Sequence, residues 1–338
     1  MSGALCLRNC KARSSSCSAA QRGALNASRG FKDPRRRVFS DGPAAGASYA
    51  RPRSRPPHSA RPVRSTHFHQ GNRTDFAAAV LPVSAQTIHT DDAGLEAGAI
   101  GIRGEDGALV PAYRAQPKGK THLPVIIVVH EIFGVHEHIA DVCRRFAKLG
   151  YLAIAPDLFT RQGDAFAFKS MQQLNEQLVS MVPDAQVMAD IDQTVKWATE
   201  HGGDPKRIGI TGFCWGGRQT WLYAEHNLNV NAAVAWYGRL VGNKTEKTPQ
   251  NPIDLASQLK VPVLGLYGLQ DQSIPQDSIE QMKQALANDP LPASTSQFVV
   301  YDDAPHAFFA DYRPSYRKAD AEDGWKRALA WFREHGVK

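Results

Sequence analysis

The sequence predicts an α/β domain built on one mostly parallel sheet with helices on both faces. From about residue 98 onward, short apolar runs rich in β-branched residues alternate with longer stretches of helical periodicity. The run LPVIIVV (123–129) is apolar at every position, as expected of a strand that is buried on both faces. Alternation of this kind stacks helices on both sides of a sheet, and the sequence indicates neither an internal repeat nor a second folded domain.

The predicted elements follow in chain order. GAIGIRG and ALVPAYRAQP predict an antiparallel opening pair joined through residues 105–107. The further strands are LPVIIVV (123–129), YLAIAP (151–156), RIGITG (207–212), NAAVAWYG (231–238), VPVLGLYG (261–268) and SQFVVY (296–301). Helices are predicted near 137–149, from Pro183 and Asp184 onward, and near 320–335. The buried face of the second contains Val187, Met188, Ile191, Val195 and Ala198, and that of the third contains Trp325, Leu329 and Phe332.

The charge is unevenly distributed along the chain. Residues 1–75 contain 15 of the 40 Lys and Arg residues but only three acidic residues, a net charge of +12. Residues 76–338 therefore have a net charge of −5, against +7 for the whole chain. Because residues 1–75 lack hydrophobic periodicity and are rich in Pro, Gly, Ser and Arg, we predict a disordered basic tail there and one folded domain at 76–338. The basic charge belongs to the tail and does not predict nucleic-acid binding by the domain.

Targeting signals in the tail are ambiguous. Three arginines at 35–37 suggest a twin-arginine signal, but no apolar stretch follows them, which excludes it. A transit segment, a disordered extension and a start assigned too far upstream stay open. No apolar run is long enough to predict a membrane span. The five cysteines form neither a disulfide framework nor a zinc motif, so we expect a cytoplasmic protein without metal or cofactor. The sequence does not fix the oligomeric state, and a monomer is compatible with it.

The segment GFCWGG (212–217) is the strongest local signal for chemistry. It follows the strand RIGIT and precedes the helical stretch RQTWLYAEH, which is the strand–turn–helix context of a nucleophile elbow. Small neighbours let strand and helix approach, and the N-terminus of the helix favours a thiolate at Cys214. The alternative is a buried cysteine in a glycine-rich turn. Cys143, in a helical stretch, is expected to be such a buried residue.

A cysteine nucleophile needs a base and an acid that orients it. In α/β-hydrolases these follow the nucleophile in the order acid, histidine. Asp271 follows the strand VPVLGLYG and His306 follows SQFVVY, so both lie at the carboxyl ends of predicted parallel strands. Asp302 and Asp303 are rival acids that adjoin the histidine, and His226 is a rival base at the far end of the elbow helix.

Acyl transfer also needs donors for the developing oxyanion. We expect the backbone N–H groups of Trp215, directly after the nucleophile, and of Ile132, in the loop after LPVIIVV. Glu131 is an acid in the same loop, where it could take the proton of a neighbouring thiol. The alternative for Glu131 is an ordinary surface glutamate.

Together these segments resemble the dienelactone hydrolase (carboxymethylenebutenolidase) family over roughly 80–338. The shared motifs are HEIFGVHEHI, GYLAIAPDLF, GFCWGG, the aspartate of GLQDQSIP, the histidine of APHAF, ADYRPSY and AEDGWKRALAWF. The resemblance implies an α/β-hydrolase fold and hydrolysis of an ester or lactone through a thioester. It implies a triad of Cys214, His306 and Asp271, and it assigns Glu131 to restraining the thiol and then accepting its proton. It further implies oxyanion donors at Ile132 and Trp215 and a substrate contact at Tyr237.

The resemblance is incomplete at the residues that recognise substrate. Arginines that bind the carboxylate of dienelactone in the family have no counterpart in HAFFA (306–310) or in FKSMQQLNEQLVSM (168–181). Arg313 and Arg161 are the candidate replacements. Three alternatives stay open at this point: a general carboxylesterase or thioesterase for uncharged esters, a non-catalytic α/β-hydrolase relative that binds a ligand, and a nucleic-acid-binding protein driven by the tail.

Overall fold

The structure, a computed structural model, describes residues 87–287 and 293–338. Eight strands lie in these residues: β1 (Leu95–Arg103), β2 (Leu109–Pro117), β3 (Leu123–Val129), β4 (Leu152–Pro156), β5 (Gly203–Phe213), β6 (Ala232–Trp236), β7 (Val263–Gly268) and β8 (Gln297–Tyr301). The α-helices in them are α1 (Glu137–Lys148), α2 (Met171–Gln177), α3 (Asp184–Glu200), α4 (Trp215–His226), α5 (Gln276–Ala287) and α6 (Lys318–Glu334). The predicted tail at 1–75 lies outside the described residues.

The eight strands form one sheet in the order β1-β2-β4-β3-β5-β6-β7-β8. Strands β4, β3, β5, β6, β7 and β8 are parallel to one another. Strand β2 is antiparallel to both β1 and β4, so among the described strands only β2 runs against the rest. The predicted fold class is confirmed: a mostly parallel α/β sheet with an antiparallel pair at one edge, as in the α/β-hydrolase fold.

The core lies between this sheet and the helices that pack on it. All seven residues of β3 are buried, as are all residues of β4, β6 and β7, which accounts for their continuous apolar sequences. Helices α1 and α6 meet through Phe146, whose ring centroid lies 4.5 Å from Trp325 and 6.3 Å from Phe332. Helix α3 packs against α4 and buries the apolar face that its sequence predicts. Cys143 is fully buried in α1.

Two elements differ in detail from their predictions. Strand β5 begins at Gly203, four residues before the apolar run, because Leu123 pairs with Gly203 and the register then shifts so that Val125 pairs with Ile208. The polar residues between these two pairs gave no strand signal. In α6, Phe332 is buried as predicted, Trp325 and Leu329 are partly buried, and Trp331 is buried as well.

The sheet topology creates a crevice between β3 and β5. These strands are neighbours, but the chain visits β4 between them, which is the switch point where open α/β sheets bind their ligands. Val129 at the end of β3 pairs with Gly212 near the end of β5. Glu131 and Cys214 each lie two residues beyond this pair, so the topology brings them to the same edge of the sheet. None of the helices in the described ranges combines the length and apolarity required to cross a bilayer.

Candidate active site

Cys214 occupies a sharp turn between β5 and α4. Its backbone has φ 57° and ψ −114°, a conformation that costs energy for any residue with a side chain. Its N–H donates to the carbonyl of Trp236 at 3.0 Å, which ties the turn to β6. A Cβ on Gly216 would lie 2.4 Å from the carbonyl oxygen of Val129, so strand, turn and helix approach closely only because this position is glycine. The turn therefore has the geometry of the predicted nucleophile elbow.

His306 and Asp271 are joined by a short hydrogen bond. His306 Nδ1 lies 2.6 Å from Asp271 Oδ2, and the aspartate is buried while about a third of the histidine side chain is exposed. Ser273 fixes the other carboxylate oxygen, because its N–H donates to Oδ1 at 2.9 Å and its hydroxyl donates at 2.6 Å. The same hydroxyl lies 3.2 Å from His306 Nδ1. Asp271 thus holds the ring with Nδ1 inward.

The ionisation of this pair follows from its surroundings. Burial by itself lowers the pKa of His306, but the charge of Cys214, hydrogen bonds with Asp271 and Cys214, and the charge of Asp271 outweigh it and raise the pKa to about 10. Burial raises the pKa of Asp271, but the hydrogen bond and charge of His306 and the two Ser273 donors bring it below its usual value. The arrangement favours the protonated imidazolium of His306 beside the Asp271 carboxylate.

The rival residues lie outside this arrangement. Asp302 and Asp303 are exposed, and it is the Asp302 carbonyl that accepts a hydrogen bond from Gln270. His226, at the end of α4, forms an ion pair with Asp192 through Nε2 at 2.7 Å. His306 contacts both Cys214 and Asp271. The alternative acids and the alternative base take no part in this set of contacts.

The two expected oxyanion donors lie at the switch point. Trp215 is the first residue of α4, where the backbone N–H has no partner within the helix. The N–H of Ile132, in the turn after β3, donates to none of the described residues. The ring of Trp215 stacks on that of His130 in the other turn, with centroids 5.4 Å apart, and meets the ring of Phe159 at a tilt, with centroids 4.8 Å apart.

Glu131 is a buried acid rather than a surface glutamate. Only 1% of the residue is exposed, and its Oε2 accepts a hydrogen bond from the Tyr312 hydroxyl at 2.9 Å. Its Oε1 is buried and has no hydrogen-bond partner among the described residues. A buried carboxylate oxygen without a donor is costly, and such groups are found where chemistry requires them.

Tyr237 lies directly after β6 on the same edge of the sheet. The residue is buried, its φ is 38°, and its ring centroid lies 5.2 Å from that of His306 in an edge-to-face contact. Its hydroxyl has no partner among the described residues. Burial, followed by the negative charges of Glu131 and Cys214, raises the pKa of Tyr237 well above its usual value. The hydroxyl of Tyr237 is therefore a neutral hydrogen-bond donor without an acceptor among the described residues.

Three supporting residues were missed by the sequence prediction. His130 Nδ1 lies 2.6 Å from the carbonyl oxygen of Glu131 and its Nε2 accepts from Leu158 N–H at 3.1 Å, so a neutral ring braces the Glu131 turn. Burial lowers the pKa of His130 to about 4, which is consistent with that state. Ser273 braces Asp271, and Tyr312 braces Glu131. The sequence marks HEIFG and ADYRPSY as motifs, but their spacing does not show which side chains meet.

The two candidate arginines have different surroundings. Arg161 is bound by Asp106 and Asp190 in ion pairs of 2.6–2.7 Å, so its charge is already neutralised. The guanidinium of Arg313 lies 5.6 Å from the ring centroid of Phe133, and no ion pair joins it to a carboxylate of the described residues. Its charge also acts on Tyr237 and Tyr312. No group of three or more His, Cys, Asp or Glu in the described ranges is arranged to hold a metal ion.

The sheet topology, the turn at Cys214 and the histidine–carboxylate pair at the carboxyl ends of parallel strands define an enzyme of the α/β-hydrolase fold. The comparison with known proteins names its family: the chain belongs to the dienelactone hydrolase family, whose model matches residues 110–336.

Individual relatives are similar over most of their lengths. A protein of Methylorubrum extorquens named "putative carboxymethylenebutenolidase" is 58% identical over 266 residues, which are 78% of this chain and 90% of that protein. A Salmonella typhimurium protein of the same name is 54% identical over 268 residues, 78% of this chain and 96% of that one. The crystal structure of a "putative dienelactone hydrolase" from Klebsiella pneumoniae has 55% sequence identity and a TM-score of 0.68, covering 71% of this chain and 99% of its own. The chain is thus a carboxylic ester hydrolase that acts on esters or lactones.

Proposed function

We propose that the protein hydrolyses a dienelactone-like ester or lactone by covalent catalysis at Cys214, with His306 and Asp271 completing a catalytic triad. The observation that supports this most is the placement of Cys214 at a positive φ in the turn between β5 and α4, beside a histidine that Asp271 holds at 2.6 Å. A nucleophile, a base and an orienting acid in this order are what acyl transfer requires. The fully braced Asp271 argues against a non-catalytic relative that merely binds a ligand.

The reaction proceeds in two halves. Glu131 or His306 accepts the thiol proton, and the Cys214 thiolate attacks the carbonyl carbon while the oxyanion rests on the N–H groups of Ile132 and Trp215. Collapse breaks the C–O bond, and His306 gives a proton to the leaving oxygen, which leaves a thioester on Cys214. A water molecule then attacks the thioester carbonyl and His306 takes its proton. The C–S bond breaks, the proton held by Glu131 or His306 returns to the sulfur, and the carboxylic acid is released. The hydroxyl of Tyr237, which has no partner among the described residues, donates a hydrogen bond to the bound substrate.

The first experiment compares Cys214→Ala with wild type on cis- and trans-dienelactone and on an aryl ester. Removal of the nucleophile should lower kcat by at least about 10⁴-fold, because no other group can form the acyl-enzyme. Cys143→Ala is the matched control, since that cysteine is buried in α1 away from the turn. Mass spectrometry of wild type with a slow ester should find the acyl group on Cys214. Full activity of Cys214→Ala, or an acyl group elsewhere, would contradict the mechanism.

A general carboxylesterase for uncharged esters is the second candidate for the same site. It is favoured by the neutralisation of Arg161 and by the lack of an arginine in HAFFA (306–310). The guanidinium of Arg313, which forms no ion pair with a carboxylate of the described residues, favours a substrate with a carboxylate instead. The relative rates of dienelactone and aryl ester hydrolysis separate the two candidates.

Arg313→Gln tests the contribution of that charge. If Arg313 binds a substrate carboxylate, KM for dienelactone should rise about tenfold or more, while the aryl ester changes less than about twofold. Arg317→Gln, an exposed arginine of the same loop, is the control. Equal effects of Arg313→Gln on both substrates would favour the enzyme for uncharged esters.

A further inference from the structure

The hydroxyl of Tyr312 is the single hydrogen-bond donor to the Glu131 carboxylate among the described residues. It reaches Oε2 at 2.9 Å inside the protein, while Oε1 has no partner there. Both side chains are almost fully buried. Because the bond spans 181 residues of sequence, it joins the turn after β3 to the loop that follows His306.

The ring of Tyr312 is held by two buried histidines that the reaction does not use. His136 and His138, at the start of α1, lie with ring centroids 5.2 Å and 5.1 Å from that of Tyr312. His138 in turn lies 3.4 Å from Asp311, which Arg145 of α1 binds. The hydroxyl therefore has a fixed position relative to the sheet, set by α1 and independent of the substrate.

We propose that Tyr312 is a positioning residue that fixes the Glu131 carboxyl group so that Oε1 stays free to accept the proton of the Cys214 thiol. The proposal rests on the proposed function of Glu131. It assigns a role to Tyr312 that differs from binding substrate, because its hydroxyl is already used by Glu131. The hydrogen bond to Oε2 fixes the orientation of the buried carboxyl group and thereby which of its oxygens stays available.

Titratable and charged groups lie on each of the elements that converge at the Glu131 turn. They are His130 and His136 from its own turn, His138 and Arg145 from α1, Cys214 from the elbow, Tyr237 after β6, and His306, Asp311, Tyr312 and Arg313 from the loop after β8. Burial lowers the pKa of His136 well below its usual value and that of His130 to about 4, and burial raises the pKa values of Tyr237 and Tyr312 well above theirs. These four groups keep one state between about pH 5 and pH 9, so they cannot produce a change of reactivity in that range.

The test measures the reactivity of the Cys214 thiol as a function of pH. Iodoacetamide alkylation of the peptide that contains Cys214 is followed by mass spectrometry from pH 5 to pH 9 in wild type, Tyr312→Phe and Glu131→Gln. Tyr312→Phe keeps the ring between the histidines but leaves Oε2 without a donor, so the Glu131 carboxyl group is no longer fixed. We expect alkylation about tenfold slower near pH 6, with the rates converging at high pH. Tyr316→Phe, whose half-buried ring lies on the same loop, should follow wild type.

A double variant separates positioning from a general structural role. If Tyr312 acts through Glu131, adding Tyr312→Phe to Glu131→Gln should change the pH profile no further. Additive slowing in the double variant, or a Tyr312→Phe profile equal to wild type, would overturn the proposal. Because alkylation needs no substrate, the result is independent of turnover. Failure of wild type to hydrolyse esters through Cys214 would refute the proposed function and leave this measurement valid.

Discussion

The aspartates Asp271 and Asp157 show how neighbouring groups determine the ionisation of a residue. Asp271 receives donors from His306 and Ser273, and these lower its pKa despite burial. Asp157, directly after β4, accepts one hydrogen bond from Phe159 N–H at 3.2 Å, and burial, which is the dominant cause, raises its pKa to about 6. The carboxylate form is thus stabilised at Asp271, where donors surround it, and destabilised at Asp157, where burial is not offset by donors.

Asp157→Asn should stabilise the protein at alkaline pH. Because the folded-state pKa of Asp157 is raised, the wild-type group contributes stability below about pH 4, and this is lost as the pH rises through about 6. The amide keeps an oxygen for the Phe159 N–H without the charge. We expect a gain of about 1–2 kcal/mol in the free energy of unfolding at pH 8 that vanishes near pH 4, measured by urea titration at both values. A variant with the wild-type pH dependence would refute the assignment.

At the scale of elements, the unit of strand β5, turn and helix α4 depends on glycines. A Cβ on Gly212 would lie 2.3 Å from the carbonyl oxygen of Gly216, and one on Gly217 would lie 2.5 Å from that of Trp236. These neighbours are backbone atoms, which cannot move aside as a flexible side chain could. Close approach here lets α4 begin directly at the Cys214 turn, where its first residue offers the Trp215 N–H.

Gly216→Ala should therefore disrupt both stability and activity. The added methyl would meet the carbonyls of Val129 and His130, at 2.4 Å and 2.5 Å, so β3 and α4 must separate. We expect a loss of about 3 kcal/mol or more and hydrolysis reduced at least tenfold. Gly94→Ala is the control, because φ is +77° but no atom lies within 4 Å of the new methyl; its cost should stay near 1 kcal/mol. Thermal unfolding and ester turnover report the two effects. Equal costs at the two glycines would show that the close approach is unimportant.

At the scale of the whole molecule, the overall charge of +7 does not describe the catalytic domain, because the charge is unevenly distributed along the chain. The seven residues of the proposed site fall within residues 131–306 of the chain, in segments that adjoin the eight-stranded sheet. The positive charge is concentrated in residues 1–75, while residues 76–338 have a net charge of −5. A nucleic-acid-binding function would thus depend on the tail alone.

Removal of residues 1–75 should leave ester hydrolysis unchanged within about twofold, because every group of the proposed site is retained. Any retention of the full chain on heparin or DNA should be lost, since a net charge of −5 repels a polyanion. Turnover and column retention of the two chains at equal ionic strength are the measurements. Nucleic-acid binding by the shortened chain would support a function of the domain that its charge does not predict.

The sequence by itself determined the order of strands and helices, the elbow at Cys214 and the candidates Asp271 and His306. Local signals suffice for these, because apolar runs identify buried strands and glycines identify close approach. The start of β5 was missed since its polar residues pair through a register shift. The resemblance to a family added Tyr237 and the role expected of Glu131, and both remain predictions until the variants are measured.

Only the tertiary structure decided which side chains meet. The bond of Tyr312 to Glu131 spans 181 residues, and the neutralisation of Arg161 by Asp106 spans 55. Contacts of this kind leave no periodic pattern in the sequence, because they depend on the order of strands in the sheet and on how loops from different strands converge at one edge. The physical reason is that hydrophobic periodicity specifies which face of an element is buried, whereas hydrogen bonds between buried polar groups depend on positions that only packing fixes.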